Sequence, residues 1–219
     1  MPPEINRKKY HLGDSCLCWS LGDVISNELS ELILTIYGVV REKQQTGMLS
    51  FLDVVPSYNA LAVHYDPVDS SLTDLEAKID GIVDHVLAEG VGNKPAQVAT
   101  HKLPTTYDGD DLTIVAEKNE LTVEQVIELH QKVHYKVAMV GFLPHFPYLI
   151  GLDPKLETPR LDSPRTKIPA GAVAIGGAQT GVYPSESPGG WNIIGLTRPT
   201  LLEPINPGDI VIFEKVETL

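Results

Sequence analysis

The 219-residue chain carries 17 Lys and Arg against 29 Asp and Glu, a formal charge of -12, with 42% apolar residues. That length supports one large domain or two of about 100 residues, with a core that needs no metal or disulfide staple. The acidic balance argues against a nucleic-acid partner, because phosphate recognition requires a basic face. Only two cysteines occur, Cys16 and Cys18. One intervening residue places both on the same side of a strand and no second pair completes a zinc site, so two reduced thiols and no metal centre are expected. The first residues hold charges but no apolar signal core, and no run of about 18 apolar residues occurs, so a cytoplasmic protein without a membrane segment is expected.

In chain order, Leu12 to Ser20 alternates as a first strand, and Val24 to Val40 places Ile25, Leu29, Leu32 and Ile36 on one helical stripe. Met48 to Val55 and Asn59 to Tyr65 read as a hairpin across Pro56-Ser57, with Leu61, Val63 and Tyr65 facing one side. Thr73 to Glu76 spells a T-x-x-E capping box before the apolar positions Leu75, Ile79, Ile82, Val83 and Val86. Gln97 to Leu103 then reads as a closing strand. Strand, helix, strand, strand, helix, strand is the split βαβ, ferredoxin-like order, with two helices on one side of an antiparallel sheet. A doubly wound sheet would need a helix between the two middle strands, where only a few residues lie.

Val91-Gly92-Asn93 reads as a linker, dividing the chain into an α+β domain over 1–93 and a second domain over 94–219. Asp110 to Lys118 and a segment capped by the Thr122/Gln125 pair are helical, the latter turning Val123, Val126, Ile127 and His130 inward. Tyr135 to Phe142, Ala172 to Ile175, Gln179 to Tyr183, Asn192 to Leu196 and Asp209 to Phe213 are short strands between Gly/Pro turns, as in a barrel or sandwich.

The chemistry concentrates between Gly141 and Trp191. No P-loop or G-x-G-x-x-G occurs. Gly189-Gly190 forms either a backbone anion nest or a plain turn. Arg160, Arg165 and Lys167 sit in a proline-stiffened basic loop, which holds an anionic ligand or else forms solvated ion pairs. His145, between Pro144 and Phe146, is expected at a loop tip. Gln179, Gly181 and Tyr183 share a strand face, leaving at Gly181 either a small-ligand slot beside Thr180 or cross-strand packing. His130 and His134 are four apart, but Gln131 replaces the general-base Glu of the metalloprotease motif and no third ligand is placed; a structural role is expected. His85 and His101 stand in no motif.

GFLPHFPYLIGLD, TPR, PRTKIPAGAVAI, QTGVYP and SPGGW, in that order from Gly141 to Trp191, resemble the allophanate hydrolase subunit 1 family, which includes KipI and the B-type subunits of bacterial 5-oxoprolinase. LGDS, VHYDP and YDGDDLTIVAEKNELTVEQVIELH upstream carry the same resemblance. It implies an N-terminal α+β domain followed by a cyclophilin-like β-barrel, a partner of the KipA or 5-oxoprolinase C type with a related barrel, and a third protein of lactam-utilisation type. It also implies ATP with magnesium, bound by the complex, in the conversion of 5-oxoproline to glutamate, with this chain inactive alone. A KipI-type inhibitor of a sensor histidine kinase, or a carboxyltransferase or allophanate hydrolase component of urea metabolism, are the alternatives it leaves open. His145, Arg160, Arg165, Lys167, Gln179, Thr180, Tyr183, Gly189, Gly190 and Trp191 are the candidate ligand-binding residues; no catalytic residue is assigned. His145 and Ile150 stand where the family usually has Gly. Arg165→Ala is expected to weaken binding while leaving folding intact.

Overall fold

The computed structural model describes residues 5–68, 72–90 and 98–219. The chain divides into two compact units, Met1–Gln97 and Val98–Leu219. The linker expected at Val91-Gly92-Asn93 lies outside the described residues.

In the first unit β1 (Lys8–His11) and β2 (Cys16–Ser20) form a hairpin, followed by α1 (Asn27–Gln45), β3 (Asp53–Pro56), β4 (Ala60–His64) and α2 (Leu72–Glu89). The sheet order is β1-β2-β4-β3, antiparallel throughout. Ser26 starts α1 by accepting a hydrogen bond from Leu29 N at 3.1 Å, which satisfies an otherwise orphaned donor. Leu29, Leu32 and Ile36 are buried as their spacing predicts. Ile25 precedes the cap and is exposed, so the stripe is one residue shorter than expected. Thr73 is no cap, because the helix has already begun at Leu72; Leu75, Ile79, Ile82, Val83 and Val86 behind it are buried. Both stripes pack on Leu17, Trp19, Leu21, Leu61 and Val63, so the helices share one face of the sheet.

The split βαβ expectation requires correction. The strand after α2, β5 (Thr100–Thr106), belongs to the second unit. The sheet edge beside β2 is taken instead by β1, from before the first helix. The sequence of β1, KKYH, is exposed at all four positions and has no apolar alternation to announce it. Charge fixes its place: Arg7 and Lys9 form ion pairs with Asp80, Asp84 and Glu76 of α2, and Trp19 Nε1 donates to Asp80 at 2.8 Å. Thr100–Thr106 buries Leu103 and Thr105 elsewhere, within the barrel.

In the second unit β5 is followed by α3 (Leu112–Lys118), α4 (Val123–Gln131), β6 (Tyr135–Val140), β7 (Pro147–Ile150), β8 (Arg165–Ile168) and β9 (Ala172–Gly176). Then come β10 (Gln179–Val182), β11 (Ser187–Gly189), β12 (Asn192–Thr197) and β13 (Ile210–Lys215). Seven strands close a barrel in the order β10-β7-β6-β13-β5-β12-β9, while β8 and β11 pair as a separate ribbon. The strands β5 and β13 lie parallel, with Leu103 opposite Phe213; the other barrel pairs are antiparallel. Closure leaves no free sheet edge. The capping box at Thr122 forms as its spacing predicts, with Thr122 and Gln125 exchanging hydrogen bonds at 2.8 and 3.2 Å. Helices α3 and α4 contribute Leu112, Val115, Val126 and Ile127 to the same core as Val137, Leu149, Ile175 and Val211. No described helix is long and apolar enough to cross a membrane.

His130 lies in that core at zero exposure. Thr180 Oγ1 donates to Ala174 O at 3.0 Å, so it accepts from His130 Nε2 at 3.1 Å, and His130 Nδ1 accepts from the Tyr107 hydroxyl at 2.8 Å. The chain of donors fixes a neutral tautomer, and burial lowers the imidazole pKa to about 3. His134 is exposed beyond the end of α4, so the two histidines form no ligand pair. Because the unfolded chain protonates this histidine below about pH 6.5 and the folded chain does not, His130 leaves stability unchanged above that pH and lowers it progressively toward pH 3. Between about pH 7 and pH 4 we expect His130 to remove about 3 kcal/mol of unfolding free energy. Urea denaturation of the protein and of His130→Gln across that range should show the variant losing less stability on acidification; equal losses would contradict the assignment.

Candidate functional site

The motif stretch from Gly141 to Trp191 supplies the barrel strands β7, β9 and β10 and the segments that pack on their outer side. In β9 and β10 the residues Val173, Ile175 and Val182 point into the barrel core, while Ala172 and Ala174 join an outer cluster with Phe146, Ile168, Tyr183 and Trp191. Two glycines on that outer face make room for the indole. A Cβ on Gly176 would stand 2.6 Å from the Trp191 ring, and one on Gly181 would stand 2.8 Å from Pro147 O and 3.2 Å from the indole. Phe146 meets Trp191 and Tyr183 edge-on at 5.7 and 5.0 Å between centroids, and Tyr148 meets Trp191 at 5.7 Å. Of the two readings left open at Gly181, a ligand slot or packing, the structure has packing: the space is filled by the chain's own aromatics.

The β8–β11 ribbon lies against this cluster through Ile168. It is held by Asp111, a carboxylate only 1% exposed at the start of α3. Asp111 Oδ1 accepts from Arg165 Nη2 at 2.6 Å and Oδ2 accepts from Ile193 N at 2.7 Å. That hydrogen bond raises the Arg165 pKa. Arg165 Nη1 is buried and has no hydrogen-bond partner among the described residues. The preceding loop is stitched down by Asn192 Nδ2 donating to Pro159 O at 2.9 Å, and by Leu161 N donating to Gly190 O at 2.7 Å.

What remains open to a ligand is Arg160. Its guanidinium is exposed, lies 5.6 Å from the centroid of the Trp191 ring, and pairs with no carboxylate among the described residues. Beside it stands half-buried Tyr148, whose phenol pKa is raised by burial against the opposing influence of Arg160. At the β6–β7 tip, Phe142 and His145 adopt φ of 70° and 67°, the left-handed region that costs a residue with a Cβ. Both are exposed, and Phe142 rests edge-on against Phe146 at 5.7 Å. A glycine would adopt this backbone freely, whereas His145 holds it at a cost.

Of the residues singled out in the sequence, Arg160, Trp191, Tyr183 and His145 lie on or around this aromatic face, and Gln179 is half-buried on the strand that carries it. Thr180 does not: its hydroxyl is turned into the barrel and engaged by His130 and Ala174. Lys167 is exposed and paired with Glu186 at 3.0 Å. Gly189 is part of a strand and packs against the Tyr183 hydroxyl, and neither it nor Gly190 has a left-handed φ, so no anion nest forms. Around the aromatic face the described residues offer an anion the unpaired guanidinium of Arg160 and no backbone nest at Gly189-Gly190. Among the described residues no group of three or more His, Cys, Asp and Glu is placed to hold a metal. Sequence reasoning missed Asp111 and Tyr148. Asp111 at the head of a helix reads as a cap, yet its carboxylate makes no cap hydrogen bond.

The chain is similar to known proteins in sequence and in fold. Residues 8–208 match the model of the carboxyltransferase domain, subdomain C and D. The B-type subunit of 5-oxoprolinase from Bacillus subtilis (strain 168) is 33% identical over 221 residues, spanning 94% of this chain and 91% of that protein. The chain belongs to this carboxyltransferase C/D family, among the proteins similar to the 5-oxoprolinase B-type subunits. The crystal structure of TTHA0988 superposes with a TM-score of 0.77 at 33% identity, covering 94% of this chain and 40% of that longer one. The Kluyveromyces lactis urea amidolyase structure, at 15% identity and a TM-score of 0.71 over 97% of this chain and 15% of that one, shares the fold.

The pairing of partly exposed Arg165 with buried Asp111 argues against the expectation that Arg165 is dispensable for folding. Arg165→Ala strands the Asp111 carboxylate and should cost about 3 kcal/mol in chemical denaturation; a loss near zero would return Arg165 to the role of a free ligand cation. His145→Gly should raise stability by about 1 kcal/mol by relieving the left-handed strain. A lower melting temperature for that variant would show that the imidazole makes a contact that offsets the strain.

Proposed function

We propose that this chain is the B-type subunit of an ATP-dependent 5-oxoprolinase, acting with a second barrel-bearing subunit and a protein of lactam-utilisation type to convert 5-oxoproline to glutamate in the cytoplasm. Its likeness to the Bacillus subtilis protein along nearly the full length of both supports the reading. So does the seven-stranded barrel, which in the finer reading is cyclophilin-like. The observation that carries it is Arg160. A cation above an aromatic floor, with no carboxylate paired to it among the described residues, suits a small flat ring bearing a carboxylate. Opening an unstrained lactam needs ATP, and in this reading the triphosphate and its magnesium are bound by the complex. An open half-site on a barrel wall is what a shared active centre requires. The urea-metabolism alternative has the fold in its favour, at an identity too low to carry an activity.

Reconstituting the three proteins and measuring glutamate release from 5-oxoproline tests the proposal. Omitting this chain should abolish release, and Arg160→Ala should raise the KM for 5-oxoproline about tenfold or more, the scale of one charge-assisted hydrogen bond, at an unchanged melting temperature. Full activity without this chain would overturn the assignment, and an unchanged KM would remove Arg160 from the site.

A further inference from the structure

The two cysteines of β2 play no part in the site above. Cys16 and Cys18 are 4% and 3% exposed, yet they stand outside the cluster that Leu17, Trp19 and Leu21 of the same segment form with the helices. Strand alternation turns them to the opposite face of the sheet. Their sulfurs are 4.0 Å apart, and Cys16 Sγ is 3.9 Å from Nε2 of His64, its cross-strand partner on β4. Small Ala62 lies opposite Cys18 on β4, and Tyr10 lies opposite it on β1. His64 is exposed, so the imaginable approach to the buried pair is at its imidazole, which touches Cys16.

Two sulfurs bound to one metal at about 2.2 to 2.3 Å stand about 3.7 to 4.5 Å apart, depending on the angle at the metal. The observed separation falls inside that span with no movement of the backbone. We propose that Cys16 and Cys18 form a two-thiolate site for a soft monovalent cation, cuprous copper, with His64 at its mouth. Thiolates select this ion over hard cations. Zinc closes its shell with four ligands, which this face does not offer. Copper(I) with two sulfurs needs no third group to converge beforehand. On binding, two S–H bonds break and two Cu–S bonds form. Two protons leave to solvent, and copper stays in the +1 state throughout, so no oxidant enters. Burial, followed by the neighbouring sulfur, pushes the Cys18 thiol up to about 11. A cation bound beside Cys18 offsets the cost of ionising its buried thiol.

The test is anaerobic titration of the whole reduced protein with cuprous ion, buffered by a chromophoric copper(I) chelator. One ion per chain should be held, Cys16→Ser and Cys18→Ser should each weaken binding by about 100-fold or more, and His64→Ala by about tenfold. X-ray absorption on the loaded wild-type protein should count two sulfur neighbours, a readout that stands even where a serine variant fails to fold. The proposal is overturned if the chelator strips all copper, if the double serine variant binds as tightly as wild type, if fewer than two sulfurs surround the metal, or if zinc competes on equal terms.

Discussion

One buried carboxylate organises the outer face of the barrel. Asp111 reaches Arg165 of β8 with one oxygen and the backbone of β12 with the other, while its own amide donates to Ile193 O at 2.9 Å. Three segments distant in sequence, the head of α3, the β8–β11 ribbon and the strand following Trp191, are thereby fixed to one point. A carboxylate at 1% exposure is costly to ionise unless fully engaged, and both of its oxygens are engaged. The aromatic cluster then packs beneath the ribbon, Trp191 lies on Gly176 and Gly181, and Arg160 is left above the indole as the cation still open to a ligand. The basic character of the 155–167 loop is thus divided by structure: Arg165 is a tie, Lys167 a surface pair, and of Lys155 and Arg160, which have no ion pair among the described residues, Arg160 stands over an aromatic ring.

How much of this the sequence disclosed follows from what kind of signal each element leaves. Helices α1, α2 and α4 were legible because apolar spacing and, for α4, a capping box write themselves directly into the chain. The strands β9, β10, β12 and β13 were legible as apolar runs between turns. The edge strand β1 was not, because ion pairs rather than buried side chains hold it. Nor were β8 and β11, a ribbon whose pairing partners are themselves short and rich in Pro, Gly and charge. The site followed the same rule. The motif stretch marked the right surface, but which glycine leaves an opening and which one seats a side chain depends on tertiary neighbours. Gly181 looked like a slot and is the bed of Trp191. Thr180, its neighbour, points into the barrel because strand alternation leaves it no choice.

The face that results is open rather than enclosed, and this agrees with a chain that completes its active centre against a partner. The strained tip carrying Phe142 and His145 stands at the margin of that face. Strain concentrated at an exposed aromatic turn fits a contact surface better than a core. Asp111 would then matter to function without touching a substrate, by holding the wall on which Arg160 is presented.

The measurement that bears most directly on this account is a double-mutant cycle between Asp111→Asn and Arg165→Met, read by chemical denaturation. If the pair is the tie described, the two losses will fall short of adding, with a coupling energy of about 2 to 3 kcal/mol. Strictly additive losses would mean that Asp111 and Arg165 act independently and that the outer face is held by its aromatics alone.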